Sequence, residues 1–153
     1  MSAPLFRKLG GTYFIDDKVL NGVFEANFLK KLSTFKLEDS PLEANSFILS
    51  SGSFFSQGLI STPDSVFEPI FNADVIPSSL PDSWCDKNLF HSQPFMQFGV
   101  ETDKNFKIKI KGEPIENVYA VGSLLGGANS AKEGSGGGIA ILSALYVANS
   151  LSR

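Results

Sequence analysis

The sequence contains one cysteine, Cys85, and one histidine, His91. A single cysteine excludes an internal disulfide framework and a cysteine-built iron–sulfur or metal centre, and a single histidine excludes a histidine-based metal cage. The 13 basic side chains are outnumbered by 16 acidic ones and form no basic stripe, which argues against nucleic acid as a partner. The apolar runs are too short to cross a bilayer, and the first residues lack the apolar stretch of a secretory signal, so we expect an intracellular protein.

Phenylalanine and glycine are abundant, and both are unevenly distributed. Each occurs 14 times among the 153 residues; every Phe precedes Gly122, and half of the glycines lie between Gly122 and Gly138. With 42% apolar and 19% charged residues, the composition is that of a globular protein with a core. The chain therefore divides into a Phe-rich front section and a glycine-rich turn region near its end.

The front section predicts short antiparallel strands. Residues 12–15 are β-prone, and residues 19–28 and 28–35 continue the pattern. Asn21-Gly22 is a hairpin-turn signal, because both residues tolerate positive φ. Five of the eight prolines fall within residues 61–94, so we expect loops and short irregular pieces there.

A second group of elements follows the proline-rich segment. Residues 106–110 alternate apolar and charged side chains, which predicts a strand with one buried face. Residues 117–121 have the pattern of a buried strand that ends at Gly122. Residues 139–151 are apolar almost all the way round, a pattern typical of a helix buried in a large protein.

The strand, the glycine-rich loop and the helix together form the strongest functional signal. The sequence EGSGGG, residues 133–138, directly precedes the helix. Glycines allow a ligand to approach the backbone, and a helix N-terminus carries unpaired amides and partial positive charge, so the arrangement suits an anion or a polarised carbonyl. The glycines would equally permit close packing of helix on strand, and clustering alone does not decide between the two.

Several separated segments resemble a known family. NVYAVG (residues 117–122) resembles the C-terminal signature of FAD-type flavoproteins with two dinucleotide folds, and SFILSSG (46–52) resembles their strand ending in Ala-Thr-Gly. Five further pieces occur in one order: SFFSQGL (53–59), EPIFNADV (68–75), PFMQFGVETD (94–103), SLLGG (123–127) and EGSGGG (133–138). Together they are similar to the C-terminal part of the B-subunit family of anaerobic glycerol-3-phosphate dehydrogenase, over nearly the whole chain.

The resemblance implies an α/β fold: an incomplete FAD/NAD(P)-binding, Rossmann-like flavoprotein fragment with an antiparallel β portion. Residues 1–153 would be the C-terminal part of a flavin-binding oxidoreductase domain whose Gly-x-Gly-x-x-Gly half is absent. A truncated reading frame and a split gene are both compatible with this expectation. The wider superfamily commonly has an acidic residue where Ser123 stands, and a serine binds a ribityl hydroxyl more weakly.

The resemblance also implies a cofactor, FMN or FAD, and a set of residues that bind it. These candidate residues are Gly122, Ser123, Gly134, Ser135, Gly136, Gly137, Gly138 and Ile139. The implied complex contains the A and C subunits of the dehydrogenase, oxidises sn-glycerol 3-phosphate to dihydroxyacetone phosphate, and passes electrons to the quinone pool. It would lie in the cytoplasm, peripherally on the inner face of the membrane, and this chain alone would be inactive.

Two other functions stay open. The chain could be a non-catalytic module that docks on a partner without flavin. It could also be a fumarate reductase or succinate dehydrogenase-type flavoprotein, although residues 94–103 favour the glycerol-phosphate family. No catalytic residue is assigned, because His91 is interpreted as a loop histidine in preference to a general base: the sequence places no carboxylate beside it.

A few further side chains have two interpretations each. Lys107, Lys109 and Lys111 are expected to form a solvated strand face rather than a phosphate site. Phe54-Phe55 is expected in the core rather than at a flavin or partner surface, and Cys85 as a small buried hydrophobe. Glu133 either caps the helix or orders the glycine loop.

Overall fold

The computed structural model describes residues 3–37, 39–76 and 81–152, and it combines short strands with one long helix. The strands are β1 (Val19–Glu25), β2 (Phe28–Thr34), β3 (Phe47–Leu49), β4 (Ile60–Ser61), β5 (Val66–Phe67), β6 (Val75–Ile76), β7 (Gly99–Val100), β8 (Lys107–Ile110) and β9 (Glu113–Ala120). The α-helices are α1 (Ala3–Lys8), α2 (Ser130–Glu133) and α3 (Gly136–Leu151). Short 3₁₀ turns cover Phe35–Leu37, Phe54–Ser56, Pro81–Ser83, Pro94–Gln97 and Gly122–Leu124. This mixture of elements confirms the α/β fold class.

A mixed three-stranded sheet, in the order β3-β9-β8, lies at the centre of the fold. β3 runs parallel to β9, with Phe47 opposite Val118, and β8 is antiparallel to β9. The β8–β9 turn is held from outside the sheet, because the amides of Lys111 and Gly112 donate to the Asp74 carboxylate at 2.9 and 2.6 Å. Since β3 and β9 are parallel, their carboxyl ends lie at the same edge, the position where α/β sheets bind ligands.

The core gathers apolar side chains from the sheet and from the loops around it. The most deeply buried are Leu29, Leu59, Val100, Ile108, Val118, Ala120, Leu124 and Val147. Aromatic rings pack edge-on at its border, with centroid separations of 5.6 Å for Phe24–Phe71 and 6.0 Å for Trp84–Phe98. The abundant phenylalanines therefore help to pack the loops against the β1–β2 hairpin and against one another.

One buried amide connects the β1–β2 hairpin to the central strand. Asn117 on β9 accepts a hydrogen bond from the Leu29 amide at 2.8 Å and donates one to the Leu29 carbonyl at 2.9 Å. Both residues are buried, and the Glu116 amide adds a third bond to the Asn27 carbonyl at 2.8 Å. Buried backbone groups need hydrogen-bond partners. The Asn117 side chain supplies them to Leu29, a task that a neighbouring β-strand would otherwise perform.

A buried carboxylate organises the segment that follows β5. Glu68 is fully buried, and its side chain accepts hydrogen bonds from the amides of Ile70 and Phe71, both at 2.8 Å. A longer bond of 3.5 Å reaches the Ala73 amide. Backbone amides thus compensate the desolvation of the carboxylate, and the loop keeps Phe71 and Ala73 in the core.

The strand predicted at residues 12–15 is wrong. These residues form no strand and are held instead by side chains from other parts of the chain. Tyr13 packs against Phe6 of α1 in a tilted arrangement with ring centroids 4.6 Å apart, and the Lys36 ammonium donates to the Ile15 carbonyl at 2.7 Å. A β-prone run became coil and turn because, among the described residues, no strand lies beside it to pair with it.

The hairpin turn predicted at Asn21-Gly22 is also wrong. Both residues lie within β1, where Gly22 pairs with Leu32, and the turn falls at Ala26, whose φ is +50°. A Cβ on Gly22 would lie 2.5 Å from Leu29 Cδ1 and 2.8 Å from Phe71 Cε1. The glycine is there to let the Phe71 ring approach the strand, not to turn the chain.

Residues 61–94 form two-residue strands, 3₁₀ turns and loops, as their prolines predicted; Pro77 lies outside the described residues. Within this segment, the expectation of a buried Cys85 is wrong, because the residue is exposed. Its neighbour Trp84 turns inward against Phe98 and leaves the thiol outside.

The predicted C-terminal helix is confirmed and begins at Gly136, three residues before its apolar part. Ser143 and Val147 are its buried residues. Four large apolar side chains are each close to half exposed or more: Ile141, Leu142, Leu145 and Tyr146. None of the helices in the described ranges is long and apolar enough to span a membrane.

Replacing Asn117 tests the connection between hairpin and sheet. Asn117→Leu should lower the free energy of unfolding by about 2–6 kcal/mol, because the buried amide and carbonyl of Leu29 would both lose their partner. Thermal unfolding followed by circular dichroism, at matched protein concentration, measures the change. Asn45→Leu, at an exposed loop position, is the control, and equal shifts for the two variants would contradict the assignment.

Candidate functional site

The carboxyl end of β9 turns directly into the predicted site. Gly122 is buried with φ at +74°, a conformation that favours glycine, and it starts the 3₁₀ turn Gly122–Leu124. Its amide donates to the Ser143 hydroxyl at 3.0 Å, and that hydroxyl donates to the Ile139 carbonyl at 2.6 Å. Ser143 therefore fixes the turn against α3. Sequence reasoning missed this residue; the only signal was a small polar residue within the apolar stretch 139–148 of the helix.

The turn and the helix start border one cavity of about 160 Å³. Four of the eight predicted residues line it: Gly122, Ser123, Gly136 and Ile139. Its other walls are mainly apolar and aromatic, formed by Ser53, Phe54, Phe55, Phe95, Met96, Phe98, Leu125 and Ala128. The cavity is smaller than the 300–1,000 Å³ typical of whole-ligand pockets, so these residues enclose only part of a large ligand.

The other four predicted residues lie in the same loop and first helical turn without lining the cavity. Gly134 precedes the helix at φ +63°, and the Ser135 hydroxyl donates to the Glu133 carboxylate at 3.2 Å. A Cβ on Gly137 or Gly138 would meet no atom within 4 Å. In the described part of the chain, close packing therefore does not require these two glycines, and the helix start faces open space.

Glu133 orders the loop; it does not cap α3. It is the last residue of α2, and its carboxylate holds Ser135, the N-cap residue of α3. The Ser135 side chain makes no capping hydrogen bond of its own. The Ile139 amide donates to the Ser135 carbonyl, and the amides before it, from Gly136 to Gly138, receive no cap from the Ser135 side chain, as a ligand site at a helix start requires.

The site residues fit a flavin in chemical type. The helix start offers amides and partial positive charge to a carbonyl that gains negative charge on reduction, Ser123 offers an exposed hydroxyl, and phenylalanine side chains form the apolar walls. At the end of β3, the Ser51 hydroxyl is buried and finds no hydrogen-bond partner among the described residues. An unpaired buried hydroxyl at this sheet edge is a further candidate donor to a bound molecule.

The two adjacent phenylalanines behave differently, so the core prediction holds for only one of them. Phe54 packs inward, with ring centroids 6.4 Å from Phe95 and 6.3 Å from Phe98. Phe55 is 97% exposed at the rim of the cavity. Burying Phe54 turns the next side chain outward.

His91 does have a neighbouring carboxylate, which the sequence could not place. Its Nδ1 lies 3.4 Å from Asp86 Oδ2, and its Nε2 lies 3.1 Å from the Asn88 side-chain amide. The ring is exposed and is not among the residues that line the cavity. Its exposure and its distance from the cavity lining, rather than these contacts, favour the interpretation of His91 as a loop histidine.

Of the three lysines predicted on one strand face, Lys107 and Lys109 lie on β8 and form ion pairs, whereas Lys111 lies in the β8–β9 turn. The Lys107 ammonium pairs with Glu116, and this hydrogen bond raises the pKa of Lys107. The Lys109 ammonium pairs with Glu101, which raises the pKa of Lys109 in the same way. Neither lysine is free to bind a phosphate. In residues 3–37, 39–76 and 81–152, no cluster of three His, Cys, Asp or Glu side chains is arranged to hold a metal ion.

Comparison with known proteins gives a consistent result. A family model described as "FAD binding domain" matches residues 5–139. The chain is 43% identical over 143 residues to a protein of Vibrio vulnificus and 38% identical over 151 residues to one of Haemophilus influenzae. A protein of Yersinia pseudotuberculosis is 40% identical over 148 residues. All three are named as the B subunit of anaerobic glycerol-3-phosphate dehydrogenase, which confirms the resemblance found in the sequence.

These matches cover nearly all of this chain but only part of each relative. They cover 92%, 95% and 95% of this chain but 33%, 35% and 34% of the three relatives. The chain therefore spans about a third of the length of the curated relatives it matches. No solved structure shows a significant match.

Ser143→Ala tests whether this hydroxyl fixes the turn at Gly122. The buried Gly122 amide would lose its acceptor, so the free energy of unfolding should fall by about 1–3 kcal/mol. Ser150→Ala is the control, because the Ser150 hydroxyl bonds the Val147 carbonyl of its own helix and no other group in the described part of the chain. Thermal unfolding of both variants measures the difference, and a Ser143→Ala effect no larger than the control would refute the role.

Proposed function

This chain belongs to the FAD binding domain family, and on that basis we propose that it is the ring-binding, C-terminal part of a flavoprotein subunit of an anaerobic glycerol-3-phosphate dehydrogenase. Its similarity to proteins named as the B subunit of that enzyme supports the enzyme class. The observation that carries the proposal is the cavity at the end of β9, where Gly122, Ser123, Gly136 and Ile139 meet. FAD is the cofactor that the family description names, and we prefer it to FMN.

Each part of the site has a task in this proposal. The first amides of α3, from Gly136 to Gly138, would face the pyrimidine carbonyl of the ring and stabilise negative charge there, whereas the Ile139 amide already donates to the Ser135 carbonyl at 2.9 Å. The Ser123 hydroxyl would bond the ribityl chain. Gly134 and Ser135, tied to Glu133, would keep the loop open in front of the helix. When bound, the flavin supplies the redox chemistry by accepting a hydride.

The names of the relatives support a wider assembly. Each name describes one subunit of an enzyme, so we place this chain in a multi-subunit dehydrogenase whose other members are the A and C subunits. The complex oxidises sn-glycerol 3-phosphate to dihydroxyacetone phosphate and delivers the electrons to the quinone pool. Its position is cytoplasmic and peripheral, on the inner face of the cytoplasmic membrane, through the complex.

Surfaces of the chain support the assignment of residues 1–153 to the C-terminal third of a longer flavoprotein. An apolar groove of about 520 Å³ runs along α3, lined by Phe106, Leu125, Ile139, Leu142, Ser143, Leu145 and Tyr146. The outer edge of β3 pairs with no strand in the described ranges. The remaining two thirds would cover both surfaces and supply the Gly-x-Gly-x-x-Gly turn that binds the cofactor's phosphates.

Joining the chain to the rest of a relative tests the proposal. Alone, it should be poorly soluble or oligomeric and bind flavin weakly or not at all, because each large aliphatic side chain left exposed forgoes roughly 1.5–3 kcal/mol. Put in place of the matching third of the Vibrio vulnificus relative, it should give a monodisperse yellow protein. Size-exclusion chromatography and the visible spectrum measure both states.

Two results would decide against the proposal. A stable, monomeric and stoichiometric flavin binder from the isolated chain would mean that the site is complete in these residues. A soluble joined protein without colour would favour the alternative, a docking module that binds no flavin.

Substitutions at the helix start should separate the contributions of two site residues. In the joined flavoprotein, Gly136→Val should abolish flavin retention, because its branched side chain would occupy the cavity wall where the ring is placed. Ser123→Ala should weaken binding by about 1 kcal/mol, the net value of one hydrogen bond. Ala144→Val, at an exposed position of the same helix, is the control. Normal flavin occupancy in Gly136→Val would refute the placement of the ring.

A further inference from the structure

Phe55 is a large aromatic side chain held in the open beside the cavity. It is 97% exposed, yet it belongs to the residues that line the cavity with Ser123 and Gly136. A phenylalanine in this position presents a flat apolar face next to a polar helix start. That combination suits a planar ligand with an apolar face and polar edges.

The turn that carries Phe55 is well fixed. Within Phe54–Ser56 and the two following residues, backbone amides of Ser56 and Gly58 donate to the Ser53 carbonyl at 3.2 and 3.0 Å. The Gln57 amide donates to the Phe54 carbonyl at 3.1 Å, and Gln57 closes the turn at φ +61°. The exposed ring is therefore not on a loosely tethered loop.

Two close contacts below the turn fix its position relative to the site. A Cβ on Gly58 would lie 1.9 Å from the Gly52 carbonyl oxygen, so only glycine lets the turn rest on the end of the β3 segment. A Cβ on Gly52 would lie 3.7 Å from the Ser123 hydroxyl, which puts the base of the turn next to a predicted site residue. With Phe54 packed inward, Phe55 points away from the core.

We propose that Phe55 stacks on the planar ring of the bound flavin and forms one wall of its binding site. This inference rests on the proposed function, because it takes the flavin as the ligand of the cavity. It assigns to Phe55 a role that neither the glycine loop nor Ser123 can fill, namely apolar contact with the face of the ring. Offset stacking of this kind adds affinity beyond the area that it buries.

The chain offers a matched control in Phe90. Its side chain is 98% exposed, as free as that of Phe55, and it also lies on a hydrogen-bonded loop, where its amide donates to the Asn88 side chain at 3.0 Å. Phe90 is not among the residues that line the cavity. Any effect of removing an exposed aromatic ring in general should therefore appear equally at Phe90.

The first measurement is flavin affinity in the joined flavoprotein described above. Phe55→Ala should raise the dissociation constant of FAD roughly tenfold, in line with the loss of one aromatic stacking contact. Phe55→Tyr, which keeps a ring, should stay close to the parent, and Phe90→Ala should be unchanged. Equal losses in Phe55→Ala and Phe90→Ala, or affinities within twofold of the parent, would overturn the proposal.

The second measurement reports contact directly. In Phe55→Trp an electron-rich indole would touch the ring, so the fluorescence of the bound flavin should be strongly quenched, while Phe90→Trp leaves it as in the parent. Unchanged emission in both variants would overturn the stacking. If Phe55→Ala alters oligomeric state but not flavin affinity, the side chain contacts protein and the proposal is again wrong.

The two proposals fail in different ways. A colourless parent protein would overturn the proposed function, and this inference with it. If the parent is yellow but substitution of Phe55 changes neither the flavin affinity nor the flavin emission, the stacking alone is overturned and the flavoprotein assignment stands.

Discussion

The bidentate contact between Asn117 and Leu29 is the interaction on which the arrangement of this chain depends. β9 is the middle strand of the sheet, and its partners β3 and β8 occupy its two edges. With both edges of β9 occupied, the β1–β2 hairpin is attached to this strand by a side chain that satisfies a buried amide and a buried carbonyl together, and by the backbone bond from Glu116 to Asn27. Because such groups are costly when unpaired, the amide sets where the hairpin lies on the sheet.

The same strand continues into the site. Three residues after Asn117 the strand ends at Ala120, and the Val121 amide donates to the Leu49 carbonyl at 3.1 Å before the chain turns at Gly122. Ser143 then ties this turn to α3. The sheet, the turn at Gly122 and the start of α3 are thus joined by hydrogen bonds into one unit. The turn and the helix start border the cavity. Because this unit fixes the helix start beside the cavity, a ligand bound there would meet a helix N-terminus that is already in place, which favours electrostatic stabilisation of charge on it.

Several residues show why a sequence pattern predicts the type of a secondary-structure element more readily than the residues with which that element makes contact. Asn21-Gly22 has the composition of a turn, but Gly22 serves a contact with Phe71, a residue 49 positions away. Phe54 and Phe55 are identical in chemistry, and only the packing of Phe54 against Phe95 and Phe98 separates a core residue from an exposed one. The carboxylate beside His91, and those beside Lys107 and Lys109, are likewise contacts that a linear pattern does not specify.

What the sequence by itself determined is the strand–glycine–helix order, the apolar character of α3 and the family resemblance, since these depend on local periodicity, backbone freedom and residue order. The tertiary structure decided which four of the eight candidate residues meet in one cavity, that Ser143 holds the turn, and that Phe55 stands at the rim. These outcomes depend on side chains that are distant in sequence and compete for the same buried space and the same hydrogen-bonding groups. Which of these side chains are buried and which groups are paired is decided only in the folded chain, where all the distances between them are fixed together.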